Sequence, residues 1–244
     1  MMDIERQAHA YLDLPSRRLK GMKIERLLDL ASREQPFRLL EVGTGSGGVA
    51  HYFGTHASLQ YTVDAVDLHD HRVVVEGYRY LRADGTHLPF CDQAFDVVLS
   101  NHVIEHVGDH AAQMEHLHEL RRVLKSGGCG YLAVPNRWML IEPHYKLAFL
   151  SWLPPAWRTP YLRLCKKGRA YDCEPLQMRQ LETMMRHAGM DISNMGIEAL
   201  RVTLDIEHSG SWMDALVRRM PDAMLRLFNR VMPTLIYRFA RSTP

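Results

Sequence analysis

A glycine-rich segment follows an apolar run near residue 40, and this pattern can bind an anionic group. The run Phe37–Val42 predicts a buried strand, and Gly43, Gly45 and Gly48 follow it at G-x-G-x-x-G spacing. Glycines let the backbone approach a ligand closely, and the N–H groups of a following helix attract a carboxylate or phosphate. Asp67 stands near the distance expected of a ribose-binding acid in a dinucleotide fingerprint. Alone, the segment leaves open which ligand is bound.

A second candidate site is the H-x-x-E-H pattern formed by His102, Glu105 and His106. The pattern binds zinc when both histidines lie one turn apart on a single helix. Here a predicted strand ends just before it and Gly108–Asp109 begins the next helix, so the pattern would lie across a loop. We expect no metal site. The simpler interpretation places Asn101 and His102 in a ligand pocket, with the other two residues ordering the loop.

These residues need strands and helices to position them, and the hydrophobic pattern predicts both. Predicted strands are Phe37–Val42, Tyr61–Val66, Tyr78–Ala83, Phe95–Ser100, Gly130–Val134, Met190–Ile197 and an edge strand Thr234–Ala240. Two predicted helices are Ser16–Ser32 and Glu174–His187. A third begins at Asp109, stops at Gly127-Gly128 and has Leu124 on its buried face. The connection Leu68–Gly77 is too short for a full helix. Alternating strands and helices predict an α/β fold with a doubly wound, mostly parallel sheet.

The 244 residues suit one domain, 1–244, with an insertion. From Pro135 to Arg169, prolines, tryptophans and basic residues cluster without a clear period. We therefore expect a core at about 16–136 and 174–244 and a helical cap at about 137–173.

Composition and charge exclude several classes of protein. A net charge of +2 is too balanced to favour nucleic acid as a partner. The four cysteines show no metal-site spacing and suit reduced thiols. The first residues do not resemble a signal peptide, and no run of about 18 apolar residues predicts a membrane span. We expect a cytoplasmic protein.

Several ordered segments together give a family resemblance over about residues 38–136. Glu41-x-Gly43-x-Gly45-x-Gly47 resembles the first motif of class I S-adenosylmethionine-dependent methyltransferases, where an acid commonly stands two residues before the first glycine. The segments 66–68, 83–90, 95–107 and 122–128 resemble later motifs of that family, although Ser126 replaces the usual proline. The most similar branch contains ubiquinone- and menaquinone-pathway and many small-molecule methyltransferases.

The resemblance implies a Rossmann-like fold with an antiparallel last strand and S-adenosylmethionine as cofactor. It implies that the methionine carboxylate meets the Gly43–Gly47 loop, that Asp67 binds the ribose, and that Asp84 and Gly85 lie by the adenine. The residues expected to bind the cofactor are Glu41, Gly43, Gly45, Gly47, Asp67, Leu68, Asp84, Gly85, Asn101 and His102.

The acceptor should bind beyond the fifth predicted strand, because open α/β sheets bind ligands at the carboxyl ends of strands. The expected acceptor contacts are Asn136, Arg137, Trp138 and Glu142. A hydroxyl acceptor needs a base to take its proton. His144 is the first candidate and His102 the second, while a loop histidine with no catalytic role explains His144 equally well.

The acceptor class rests on composition alone. Tryptophans and basic residues in the cap suit an amphipathic or anionic acceptor, such as a small molecule, a sugar or a lipid-linked compound, methylated at oxygen. The basic, apolar stretch from Trp212 to Val231 can rest on a membrane surface or cover a sheet edge. The second interpretation is the simpler, and Pro221 would interrupt the stretch.

Three alternatives stay open from the sequence. An NAD-dependent oxidoreductase could use the same glycines, and a zinc hydrolase could use His102 and His106. A non-catalytic protein could retain the cofactor pocket without transferring a methyl group.

Overall fold

The computed structural model describes residues 14–33, 36–142, 145–171 and 173–242. Its strands are β1 Phe37–Val42, β2 Tyr61–Asp67, β3 Arg79–Arg82, β4 Phe95–Asn101, β5 Leu124–Pro135, β6 Ile141–Glu142, β7 Leu147–Ala148, β8 Met190–Asn194 and β9 Thr234–Arg241. Its α-helices are α1 Leu14–Leu28, α2 Gly48–Gly54, α3 His110–Val123, α4 Pro155–Leu164, α5 Met178–His187, α6 Gly196–Glu207, α7 Trp212–Arg219 and α8 Asp222–Asn229.

Seven of the strands form one sheet in the order β3-β2-β1-β4-β5-β9-β8. Strands β1 to β5 pair in parallel, and β9 runs antiparallel to both of its neighbours. The strand order reverses between β1 and β4, and ligands bind at such switch points in open α/β sheets. The predicted doubly wound sheet with an antiparallel last strand is confirmed.

Helices cover both faces of the sheet, which is why its central strands read as continuous apolar runs. Successive side chains of a strand point to opposite faces. Leu39 of β1 packs in one cluster with Ile24 of α1 and Phe53 of α2. Leu40 packs in the other cluster, with Leu117 of α3. The core therefore has two layers, one on each face of the sheet, and β1 packs against both.

The end of the sheet differs from the prediction. The predicted edge strand at the C-terminus is wrong, because β9 lies between β5 and β8, and β8 forms the edge. The predicted strand Met190–Ile197 stops early, because the Asn194 side chain accepts a hydrogen bond from Gly196 N at 3.0 Å and α6 begins there. The sequence prediction missed α6.

Two helix boundaries also differ. Asp109 caps α3 as predicted and accepts from Ala112 N at 3.0 Å, but the helix ends at Val123, before the two glycines. Leu124 is buried as expected, yet it begins β5 and does not lie on the helix. Residues 174–177 are not helical, because they close the base of the cap through a bridge between Asn136 and Leu176.

The segment between β2 and β3 contains no helix in residues 68–78, which confirms the expectation for that connection. The cap is built from β6, β7 and α4 around its own small cluster of Tyr145, Leu147, Leu150 and Leu162. Its boundaries at 137 and 173 stay a prediction. Within the described ranges, no helix combines the length and the apolar character needed to cross a bilayer.

Candidate functional site

Glu41, next to the last residue of strand β1, forms the contacts that fix the glycine-rich loop. Its carboxylate is 5% exposed and accepts hydrogen bonds from Thr44 Oγ1 at 2.7 Å and from Ala50 N at 2.9 Å. One acid thus ties the loop to the first turn of α2. Burial raises the pKa of Glu41 from 4.5 to about 7, although both hydrogen bonds act to lower it. The acid two residues before the first glycine therefore shapes the loop from within the protein.

The loop needs glycine because it is packed from two sides. Gly43 has φ +77°, and a Cβ there would lie 2.3 Å from Val103 Cγ2. Gly47 has φ +81°, and a Cβ there would lie 2.3 Å from the Val74 carbonyl oxygen. The chain after β2 is fastened to the same loop, since Val73 N donates to Ser46 O at 2.9 Å.

Asp67, at the end of β2, lies directly against this loop. Gly45 N donates to Asp67 Oδ2 at 2.9 Å and Leu68 N donates to Asp67 Oδ1 at 2.7 Å. Asp64, another acid of β2, is buried and ion-paired to Arg38 at 2.8 Å and Arg79 at 2.6 Å. Asp64 is thereby a structural residue, and Asp67 is the acid that contacts the glycine-rich loop.

A cleft of about 460 Å³ opens beside Asp67. It is lined by Leu68, His69, Arg82, Ala83 and Asp84. Asp84 and Gly85 are exposed, and Ala83 N donates to Asp67 O at 2.9 Å. The residues expected around ribose and adenine thus lie along one continuous edge.

Arg122, in the last turn of α3, connects the two motif segments 83–90 and 122–128. Its guanidinium donates to Leu88 O at 3.0 Å and Phe90 O at 2.7 Å, and to Glu119. Glu119 in turn accepts from Leu88 N at 2.7 Å. The end of α3 is therefore hydrogen-bonded to the loop at residues 88–90, which follows the residues that line the cleft.

Asn101 and His102 extend the site at the end of β4. Asn101 Oδ1 is buried and has no hydrogen-bond partner within the described chain. His102 has φ +58°, and its Nδ1 lies 3.2 Å from Glu105 Oε1. His106 Nε2 lies 4.0 Å from the same oxygen. One buried carboxylate therefore stands between the two histidines.

This arrangement lacks the geometry of the zinc pattern. His102 is a left-handed loop residue, and Ile104–His106 form a 3-10 turn, so no single α-helix carries both histidines. Among residues 14–33, 36–142, 145–171 and 173–242, no three His, Cys, Asp or Glu side chains form a group able to hold a metal.

Two polar residues of the site were missed from the sequence. Ser46 Oγ is buried in the glycine loop with no hydrogen-bond partner in the part of the chain that the structure describes. His116 Nε2 of α3 lies 3.0 Å from Ser100 Oγ, and burial lowers the pKa of His116 to about 4, which keeps it neutral. Ser46 stands between two motif glycines, and this position was the only signal in the sequence.

The expected acceptor residues have mixed surroundings. Asn136 is buried, donates to Arg230 O at 2.8 Å and Met232 O at 2.9 Å, and accepts from Trp138 N at 3.0 Å. These bonds connect the end of β5 with the end of α8. They occupy the side-chain amide of Asn136, so little of it is available to contact an acceptor as expected. Glu142 is buried and accepts from the Tyr145 backbone at 2.7 Å, so it too is directed into the protein.

Two expected acceptor residues lie nearer the surface. Arg137 is half-buried, while Trp138 is exposed and packs edge-on against Trp152 with ring centroids 5.5 Å apart. His144 lies outside the described residues, and its proposed role as a base stays a prediction.

The structure brings most of the predicted cofactor residues to one edge. Val42 of β1 pairs with Val66 of β2 and with Ser100 of β4, so the residues after these strands meet there. The group comprises Glu41, Gly43, Gly45, Gly47, Asp67, Leu68, Asn101 and His102, with Asp84 and Gly85 beyond β3.

Comparison with known proteins agrees with this geometry. Residues 40–132 match a family described as a methyltransferase domain. An uncharacterized methyltransferase of Mycobacterium sp. strain KMS is 38% identical over 98 residues, which are 39% of this chain and 37% of that protein. The chain therefore aligns with little more than a third of this relative's length.

Solved structures share the fold over nearly the whole chain. A chain of the complex that contains the Haloferax volcanii Trm112 methyltransferase activator has a TM-score of 0.57 at 17% identity, covering 99% of this chain and 100% of that one. Haemonchus contortus phosphoethanolamine N-methyltransferase 2, solved with S-adenosyl-L-methionine, has a TM-score of 0.54 at 16% identity, covering 92% of this chain and 52% of that one. The oxidoreductase alternative finds no support in these matches.

Proposed function

We propose that this chain is a class I S-adenosylmethionine-dependent methyltransferase that transfers a methyl group to an oxygen of a small-molecule, sugar or lipid-linked acceptor. One observation carries the proposal: Asp67 and the glycine loop are hydrogen-bonded to each other at the switch point of the sheet. Whole-protein activity is part of the proposal, because the relatives are matched over only part of their length.

The residues at this edge suit the cofactor's chemistry. The glycine loop offers backbone N–H groups at the start of α2, which favour a carboxylate. Asp67 offers a carboxylate next to the cleft, as ribose hydroxyl donors require. Asn101 Oδ1 and Ser46 Oγ are buried polar atoms that a bound ligand could satisfy, and such atoms usually have partners.

Bound S-adenosylmethionine would supply a methyl group on a sulfonium, from which the neutral thioether of S-adenosylhomocysteine leaves readily. The chain must then align the acceptor and exclude water, because correct positioning removes much of the barrier to a bimolecular step. The cap, which follows β5 at the same edge, would provide the walls of the acceptor site.

A hydroxyl acceptor also needs a group to receive its proton. We infer that His102 has this role and that Glu105 is its positioning residue. A carboxylate at 3.2 Å from Nδ1 favours the tautomer with hydrogen on that nitrogen, which leaves Nε2 as the proton acceptor. His144, the first candidate from the sequence, lies outside the described residues and stays the alternative base.

Calorimetry with S-adenosylhomocysteine tests the cofactor site. The wild type should bind it and should not bind NAD. Asp67→Asn should bind about 10- to 100-fold more weakly, because an amide cannot accept from both Gly45 N and Leu68 N. Asp191→Asn, on edge strand β8, is the matched control and should bind like the wild type. Preference for NAD would contradict the proposed cofactor.

Transfer of a labelled methyl group tests the acceptor and the base. Wild-type protein and labelled S-adenosylmethionine are added to cell extract, which is then divided into lipid and aqueous fractions. His102→Asn should keep S-adenosylhomocysteine affinity within a few-fold, yet lose most of the transfer. Glu105→Gln should show a smaller loss in the same direction. Full transfer by His102→Asn would leave His144 as the base, and no transfer by the wild type would favour a non-catalytic binding protein.

A further inference from the structure

The two helices α7 and α8 present their apolar side chains to solvent. Trp212 is 75% exposed, Leu227 is 73% exposed and Phe228 is 54% exposed. Met213, Leu216 and Met224 are exposed as well. These six residues form what we call the α7–α8 face. A surface helix normally turns such a face toward the core, so its exposure requires an explanation.

Polar contacts fix this orientation. Arg218 of α7 pairs with buried Asp214 at 2.6 Å and with Asp205 of α6 at 2.7 Å. Asp222 of α8 pairs with Arg201 of α6 at 2.6 Å. The expected sheet-edge cover is wrong, because these helices pack chiefly on α6, where the ion pairs lie, and α8 also buries Leu225. The apolar sides are therefore held outward by ion pairs on the opposite sides.

Exposed arginines accompany the apolar residues of α7 and α8. Arg219, Arg226 and Arg230 are exposed, and none forms an ion pair with another described residue. The acids of the two helices, Asp214 and Asp222, are already paired with other arginines. The two helices thus present exposed apolar side chains together with positive charge that no acid of these helices balances, which complements an apolar surface that carries negative charge.

We propose that the α7–α8 face docks on the surface of a bilayer that contains anionic lipid. Apolar side chains of a helix lying in the interface enter the acyl boundary, tryptophan favours the headgroup level, and arginines attract lipid phosphates. A second copy of this chain is a poorer occupant, because a two-fold interface would bring together two surfaces that carry the same positive charge.

The docking face is joined to the acceptor side of the site. Asn136, at the start of the cap, binds the backbone carbonyls of Arg230 and Met232 just after α8. Docking would bring the cap close to the headgroups, where a lipid-linked acceptor is available. This last consequence rests on the proposed function, whereas the docking itself does not.

Sedimentation with lipid vesicles, without S-adenosylmethionine, tests the docking. The wild type should bind vesicles of phosphatidylcholine with phosphatidylglycerol at least tenfold more strongly than phosphatidylcholine alone, and salt should weaken binding. Arg226→Glu with Arg230→Glu should lose about tenfold or more and should abolish the preference for anionic lipid. Arg179→Glu, an exposed arginine on α5, is the matched control.

A second variant tests the apolar part of the surface. Leu227→Glu with Phe228→Glu should abolish vesicle binding, while the exposed Val75→Glu should leave it unchanged. Because the replaced side chains are exposed, circular dichroism and S-adenosylhomocysteine affinity should match the wild type, which separates a failure of docking from a failure of the cofactor site.

Three results would overturn the proposal. The first is no sedimentation of the wild type with anionic vesicles. The second is wild-type vesicle binding by the Leu227→Glu, Phe228→Glu protein. The third is a dimer, or a stoichiometric complex with a protein partner, that covers this face and is lost in the same variant.

Discussion

Glu41→Gln should make the protein's stability less sensitive to a rise in pH from about 5 to 8. The carboxylate is buried, and burial raises its pKa from 4.5 to about 7. A group whose pKa rises on folding favours the folded state in its protonated form. Its stabilising effect is complete below about pH 4.5 and is lost as the pH rises through about 7. Glutamine stays neutral throughout, and its amide oxygen can accept from Thr44 and Ala50 as Glu41 Oε2 does.

The size of the effect follows from the pKa change. A rise from 4.5 to about 7, at about 1.4 kcal/mol for each pH unit, corresponds to about 3 kcal/mol of unfolding free energy. Most of this range lies between about pH 5 and 8, so the wild type should lose about 2 to 3 kcal/mol relative to Glu41→Gln over that interval.

Urea unfolding at several pH values measures this difference without any ligand. All other titrating groups are common to both proteins, so they cancel in the comparison. Glu115→Gln, on the exposed side of α3, is the matched control and should follow the wild type. A constant difference between wild type and Glu41→Gln would refute the reasoning. A wild type that gains stability relative to the variant as the pH rises would show that the hydrogen bonds outweigh burial.

Three further substitutions test the packing around the site by urea unfolding. Gly47→Ala should lower the unfolding free energy by about 2 kcal/mol more than Gly127→Ala. Both glycines have a positive φ, +81° and +79°, but only the Cβ at position 47 would meet a carbonyl oxygen. Equal losses would contradict this. Arg122→Lys should lose about 1 to 3 kcal/mol, since lysine cannot reproduce the forked contacts to two loop carbonyls, while Arg186→Lys in an exposed pair should lose under about 0.5 kcal/mol. Asn136→Ala should lose about 2 kcal/mol or more through three side-chain hydrogen bonds, and a loss under about 0.5 kcal/mol would show that they add nothing.

The strands of the parallel sheet could be predicted because burial on both faces makes each strand a short apolar run. Phe37–Val42 has the same limits in the structure and in the prediction. The order of strands could not be predicted in the same way, because it depends on pairings between distant segments. The period of Thr234–Arg241 is the same whether it lies at an edge or between β5 and β8.

The meeting of the expected cofactor residues at one edge of the sheet could be predicted because their motifs are local, but the roles of single residues depend on distant partners. Asp64 and Asp67 are three residues apart in one strand, and only the contacts of Asp64 with Arg38 and Arg79 show that it is structural. Asn136 was expected at the acceptor, yet its partners lie near residue 230. Such pairings leave no local pattern.

The orientation of α7 and α8 shows most clearly what a periodic pattern determines. The spacing of apolar residues fixes which side of a helix is apolar, but not whether that side faces the protein. Here the ion pairs of Arg218 and Asp222 with α6 set the orientation. Ion pairs this exposed contribute only about 0 to 1 kcal/mol each, less than burial of one large apolar side chain. Together with the buried Leu225 they leave Leu227 and Phe228 exposed to water, and we infer that these side chains gain their burial from the membrane.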